Sequence, residues 1–155
     1  MKNIPDSLTP QQAWSKLSSR PSLSAETRPV TEALHHCLAE PWRVPSDVPI
    51  APRSFMDGFA VRSADVARIS ARLKIAGEIL MGEVPVRPLN SGEAMFIPTG
   101  GFVPEGADAV VMQEDTVHEE NGIILIQKAV APQENIQRRG EDFTAGSVLF
   151  EAHHR

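Results

Sequence analysis

Three short runs in this 155-residue chain set reactive side chains beside glycine. The first is Ser54-Phe55-Met56-Asp57-Gly58-Phe59-Ala60, which puts one carboxylate at a bend between hydrophobic neighbours. A carboxylate fixed at a rigid loop tip suits a metal ligand or a hydrogen-bond acceptor for a substrate. On that reading Met56 and Phe59 anchor the loop and Asp57 points outward. The bland alternative is a structural Asp-Gly turn, in which Gly58 takes a positive φ and Asp57 bonds its own backbone.

The second run is Pro98-Thr99-Gly100-Gly101. Consecutive glycines let backbone N–H groups turn toward one point, and the Thr99 hydroxyl can join them. That is the build of an anion nest, with Gly100 at its centre. A glycine-rich bend leaving a strand is the alternative. The glycine spacing and lysine of a nucleoside-triphosphate loop are missing. The third run is Glu134-Asn135-Ile136-Gln137-Arg138-Arg139-Gly140-Glu141-Asp142. Arginine forks such as Arg138 and Arg139 take oxyanions bidentately. Asp142 could act as a second acid beside Asp57. The alternative is a surface salt-bridge loop that adds little stability.

Other candidates are weaker. Pro104-Glu105-Gly106-Ala107-Asp108 reads as turn chemistry feeding a strand, its charges solvated or capping. His35-His36 are adjacent on a predicted helix and do not face the same way. Cys37 reads as a small core residue and not as a nucleophile.

The elements that must hold these runs are short, as 13 prolines and 10 glycines imply. Thr9-Pro10 predicts a helix start, with Ala13, Trp14 and Leu17 on one side. Thr31 to Ala39 predicts a second helix with Ala33, Leu34, Cys37 and Leu38 as its apolar stripe. Ser63-Ala64-Asp65 predicts a short helix to about residue 69. Strands are predicted at Leu73–Ala76, Ala94–Ile97, Ala109–Met112, Gly122–Ile126 and Val148–Phe150. A polar turn at Glu119–Gly122 should join the fourth of these to the third. Trp42-Arg43-Val44 is a short extended piece.

Composition limits the function classes. Hydrophobic residues make up 41%, enough for a real core. A net charge of −5 argues against a general nucleic-acid binder. A single cysteine cannot close an internal disulfide, and no Cys/His cluster has metal-ligand spacing. No apolar segment is long enough for a signal peptide or a membrane span. A cytoplasmic protein with no membrane partner is the expectation. The fold class expected is α+β: a strand-rich mixed body with short helices, preceded by N-terminal helices.

Taken jointly, the three runs resemble the N-terminal half of the MoeA family, the molybdopterin molybdenumtransferases. That family shows Ser-(small)-Met-Asp-Gly-(Tyr/Phe)-Ala, matched by Ser54–Ala60. It shows Thr-Gly-Ala leading into Pro-Glu-Gly-Ala-Asp-Ala-Val-Val, matched from Thr99 to Val111. It shows Glu-Asn-Ile-Arg-(Arg/Lys)-Arg-Gly-Glu-Asp, matched by Glu134–Asp142 with minor change. The resemblance runs from about residue 25 to the end. Phe55 departs from the usual small residue, and Gly101-Phe102-Val103 departs from an Ala-Pro-Leu type of stretch.

The resemblance implies insertion of molybdate into adenylated molybdopterin, assisted by Mg2+, with AMP released. It implies an elongated homodimer whose cleft is completed by a separate pterin-binding α/β domain. By motif position Asp57, Thr99 and Asp142 would be catalytic, with Asp57 and Asp142 as metal contacts. Gly100, Arg138 and Arg139 would contact the cofactor or anion. The implied organisation is an N-terminal helix and connector (1–24), a linker subdomain (25–50 with 140–155) and a strand-rich subdomain (51–139). The chain stops before the α/β domain, so insertase activity is not expected of it alone. Two other readings compete. One is a free-standing accessory or scaffold module completing a split active site with a separate pterin-binding protein. The other is a non-enzymatic small-anion binder.

Overall fold

Thr9 and Pro10 begin a helix as their chemistry predicts. The computed structural model describes residues 8–19 and 24–155. It divides into two units, one of the chain up to Glu40 with Ala152–Arg155, the other Pro41–Glu151. In the first unit α1 (Pro10–Ser18) opens on a capping box. The Gln12 N–H donates to the Thr9 hydroxyl at 3.3 Å, and the Thr9 N–H donates to Gln12 Oε1 at 2.9 Å. Trp14 is 73% exposed and Leu17 is 55% exposed.

The second predicted helix does not form. Val30–Glu32 makes one 3-10 turn, and His35 then takes a φ of 70°, which no helix continues through. Leu34 and Cys37 of the expected stripe lie exposed. A helix this short holds only when its apolar face is buried, and this one buries nothing. Leu38 pairs through its backbone with the chain end: its N–H donates to the His154 carbonyl at 2.9 Å, and the His153 N–H donates back at 2.7 Å. One α-helix is therefore present among the described residues, where two were expected.

The strands of the larger unit, in chain order, are β1 (Trp42–Arg43), β2 (Arg53–Ser54), β3 (Gly58–Val61), β4 (Arg72–Glu78), β5 (Glu93–Ile97), β6 (Ala109–Met112), β7 (Thr116–Glu119), β8 (Ile123–Ile126), β9 (Ile136–Gln137) and β10 (Val148–Phe150). Six of them form one mixed sheet in the order β6-β3-β5-β4-β8-β7. Only β4 and β5 run parallel, with a bulge at Ala76-Gly77; the other neighbours are antiparallel. β1 pairs with β10 and β2 with β9 in separate two-stranded ribbons.

Both faces of the sheet are covered. Phe59, Val61, Leu73, Val111, Ile124 and Ile126 pack on one face with Val66 and Val130. Ala60, Met95, Ile97 and Val110 pack on the other with Ile79, Leu89 and Ile136. Alternation along β3 and β6 therefore feeds two cores, which is why both strands read as unbroken apolar runs.

Two local expectations change. The turn after Arg62 is a 3-10 turn at Ser63–Val66, and it stops there. Asp108 caps it from outside, accepting from the Ser63 N–H at 2.6 Å and the Ser63 hydroxyl at 2.7 Å. And β7 intervenes in the chain between β6 and β8, so the polar turn at 119–122 closes a β7–β8 hairpin. β7 is a half-exposed edge strand of polar residues, Thr-Val-His-Glu, so its apolar alternation is weak.

Candidate functional site

The Asp57 loop joins β2 to β3 and is held on every side. Ser54 is 3% exposed; its hydroxyl donates to the Met56 carbonyl at 2.6 Å and accepts the Met56 N–H at 3.2 Å. A serine closing a turn on itself in this way fixes the chain direction locally. The Phe55 N–H donates to the Asn135 carbonyl at 2.9 Å, and the Gln113 N–H donates to the Asp57 carbonyl at 3.0 Å. The expected anchors are half right. Phe59 is 1% exposed, whereas Met56 is 41% exposed, and Ser54 does the holding on that side.

Gly58 corrects the turn reading. Its φ is not positive, and it is the first residue of β3. Glycine stands there because a Cβ would run into the Val111 carbonyl of β6, with Met112 Cα 3.0 Å away. The demand is close strand approach and not backbone handedness.

The Asp57 side chain is exposed, and Oδ1 accepts the Thr99 backbone N–H at 2.6 Å. That backbone bond, with the Thr99 hydroxyl second, holds the carboxyl below its usual range. Asp57 is thus an ionised, oriented acceptor at a fixed loop tip.

The Thr99-Gly100-Gly101 bend braces the loop instead of forming an open nest. The Thr99 N–H goes to Asp57, the Gly100 N–H to the Ser54 carbonyl at 2.8 Å, and the Gly101 N–H to the Pro98 carbonyl at 2.9 Å. The Ser54 N–H returns to the Gly101 carbonyl at 2.9 Å. Gly100 supplies a φ of +79°, and Gly101 a place where a Cβ would lie 2.9 Å from Ile97 Cγ1. The amides do not converge, and the Gly100 amide already has a protein acceptor.

The third run is anchored through β9, where Arg53 pairs with Gln137 and Ser54 with Ile136. Asn135, at a φ of 59°, donates its side-chain amide to the Val110 carbonyl at 2.8 Å. Gln137 Nε2 bridges both oxygens of Asp142 at 3.0 Å each. The Asp142 N–H donates to the Val48 carbonyl at 3.0 Å, and the Gly140 N–H to that of Pro49 at 2.9 Å.

Arg139 is engaged. Its Nε donates to Asp47 Oδ2 at 2.6 Å. The Ala145 N–H reaches Asp47 Oδ1 at 2.8 Å, and this amide, then Arg139, holds the Asp47 carboxyl low. Arg138 is exposed; its backbone N–H donates to Glu141 at 2.7 Å, and its guanidinium has no partner among the described residues.

So the structure couples Asp57 directly to Thr99 and ties Asp142, in the bend after β9, to Gln137 of the ribbon that β2 shares. Among the described residues no three His, Cys, Asp or Glu side chains are grouped to hold a metal ion. Ser54, Asn135, Gln137 and Arg53 were not singled out from the sequence. Ser54 carried a readable signal, a hydroxyl two residues before the carbonyl it bonds. The others did not, since their work is done by partners far along the chain.

A family profile described as the MoeA N-terminal region, domains I and II, matches residues 8–155. A molybdopterin molybdenumtransferase of Haemophilus influenzae is 37% identical over 146 residues, covering 93% of this chain and 36% of that protein. One from Bacillus subtilis is 41% identical over 126 residues, covering 77% and 29%. The crystal structure of a molybdopterin biosynthesis moeA protein from Pyrococcus horikoshii superposes with a TM-score of 0.77 at 32% identity, covering 84% of this chain and 36% of that one. The chain spans about a third of the length of the curated relatives it matches.

Proposed function

The chain belongs to the MoeA N-terminal family, and on that premise we propose that it builds one wall of a cleft in which molybdate is inserted into adenylated molybdopterin. The observation that carries this reading is Asp57, ionised, exposed and clamped to Thr99 on a loop braced from three directions. A group held so rigidly can orient a ligand without reorganising when it binds. Asp142, forked by Gln137, supplies a second acceptor.

Both carboxylates are hard oxygen donors, which suits Mg2+ bound through one or two side chains with the rest from water and substrate phosphate. Asp57 and Asp142 would hold it, and the ion would neutralise charge on phosphoryl oxygens. The chain's own part is to orient that ligand and to keep the Asp57 carboxylate charged. Gly100 contributes through its bend, since its amide is already bonded to Ser54. That commitment also weighs against the small-anion nest as an alternative.

The rest of the cleft would come from a pterin-binding α/β region, within the same protein or a separate one, in a cytoplasmic homodimer. No helix of the described residues is long and apolar enough to cross a membrane.

The test is reconstitution. The chain, adenylated molybdopterin, molybdate and Mg2+ should release no AMP above background. Adding a pterin-binding α/β domain should restore release. In that system Asp57→Asn should slow release at least tenfold with little loss of folding stability, because the carboxylate is exposed and outside the core. Turnover by the chain alone, or full activity of the variant, would refute the reading.

A further inference from the structure

Among the described residues, Arg28, Arg72, Arg87 and Arg139 make ion pairs at the surface. Arg53 is half-buried and makes none. Its Nε is buried with no hydrogen-bond partner. Its guanidinium lies over the Phe102 ring, 4.5 Å from the centroid.

The backbone explains this placement. Arg53 is the middle of a three-residue row, bridged to Phe102 on one side and paired with Gln137 on the other. Directly opposite residues of antiparallel strands share a face, with Cβ atoms about 4.5–5.5 Å apart. Gln137 in turn holds Asp142. The row therefore runs aromatic, cation, amide, carboxylate, on the ribbon that leads into the Asp57 loop.

A purely structural role accounts poorly for the cation. Desolvating a guanidinium N–H without a partner is unfavourable. Stacking on Phe102 offsets part of that, but an aliphatic side chain would cover the ring without the loss. The stack holds the plane still and leaves the terminal nitrogens without protein acceptors among the described residues. A fixed, unpaired guanidinium is suited to an oxyanion.

We propose that Arg53, held flat on Phe102 beside Gln137, is the anion contact of this wall and takes an oxygen of a tetrahedral oxyanion. The assignment rests on the function proposed above and moves the anion contact away from Arg139, which Asp47 occupies. The oxyanion is either molybdate or the phosphate of the adenylated substrate.

The test is binding to the purified chain, which needs no turnover. Molybdate, inorganic phosphate and AMP are titrated separately, and the arginine Nε–Hε resonances are followed by NMR. The Arg53 resonance should shift saturably with at least one of them. Molybdate alone would assign the metal oxyanion, and phosphate with AMP the nucleotide. Arg53→Gln should weaken that binding about tenfold, the loss of one charge-assisted contact. Arg62→Gln, which removes an exposed cation elsewhere, should change it less than twofold. No saturable shift at Arg53 in the wild-type chain would overturn the proposal whether or not the variant folds. So would loss of binding in Arg138→Gln with Arg53→Gln unaffected. Binding at Arg53 with no AMP release on reconstitution would leave this inference standing and sink the insertase reading. Release with an unaltered KM in Arg53→Gln would do the reverse.

Discussion

Replacing Gly58 with alanine tests whether the Asp57 loop is positioned by strand packing. An alanine Cβ would enter the space of the Val111 carbonyl and sit 3.0 Å from Met112 Cα. Overpacking a filled interior costs about 1–3 kcal/mol, occasionally more, when side chains can yield. Here the obstructing atoms are main chain, so no rotamer change relieves them. Either β3 and β6 part, which disturbs their pairing from Gly58–Met112 to Val61–Ala109, or β3 shifts against both neighbours. The upper end, about 3 kcal/mol, is expected. For a chain of this size that lowers Tm by about 6–12 °C. Urea unfolding followed by circular dichroism gives the free energy, and a thermal scan gives Tm. Gly82→Ala is the contrast: its site is open, its φ is +79°, and only backbone strain of about 1 kcal/mol should appear. Near-wild-type stability for Gly58→Ala, within about 0.5 kcal/mol, would refute the packing argument. It would return Gly58 to the role of an ordinary turn residue.

Two further outcomes follow from the same contacts. Asp108→Ala should cost about 1–3 kcal/mol in urea unfolding, because the N–H and hydroxyl of Ser63, 7% exposed, lose their acceptor, and Asp108→Asn should recover part of it. The Asp57 carboxyl is held below its ordinary value of 3.8, so its stabilising contribution is complete above that pH and is lost as pH falls through the lowered folded value; a carboxyl NMR titration with a midpoint above 3.8 would contradict the Thr99 contact, and Thr99→Val should raise the midpoint only in part, since the backbone N–H is the larger cause and remains.

Sequence pattern served best where one residue's neighbours decide its state. Ala109–Met112 is β6 to the residue, and Ile123–Ile126 differs from expectation by one. Those runs are apolar whichever face they turn, because both faces are covered. β3 was hidden by its own first residue: an Asp-Gly pair reads as a turn unless one knows that β6 lies too close for a Cβ. The helix expected over Thr31–Ala39 failed for the opposite reason. Its periodicity was present, but no surface buries it, and periodicity carries no information about a partner.

The candidate site divides along the same line. Asp57, Thr99 and Asp142 stand out because each falls at a matching position in one of three runs that jointly resemble the family. Whether each is free to meet a ligand is a property of contacts between distant segments. Arg138 and Arg139 are equivalent as text; Asp47, from a proline-rich loop, engages the second and leaves the first in solvent. Gly100 looked like a ligand donor until Ser54 claimed its amide. Arg53 reads as the end of a proline-rich loop, yet the row through Phe102 and Gln137 leaves it the half-buried cation without a partner among the described residues. A motif therefore supplies the inventory of charges and donors, and packing subtracts those that the protein satisfies itself. What survives subtraction here is the oriented carboxylates of Asp57 and Asp142 and the oriented guanidinium of Arg53, and a ligand bearing both a cation and an oxyanion is the kind that such a wall can hold.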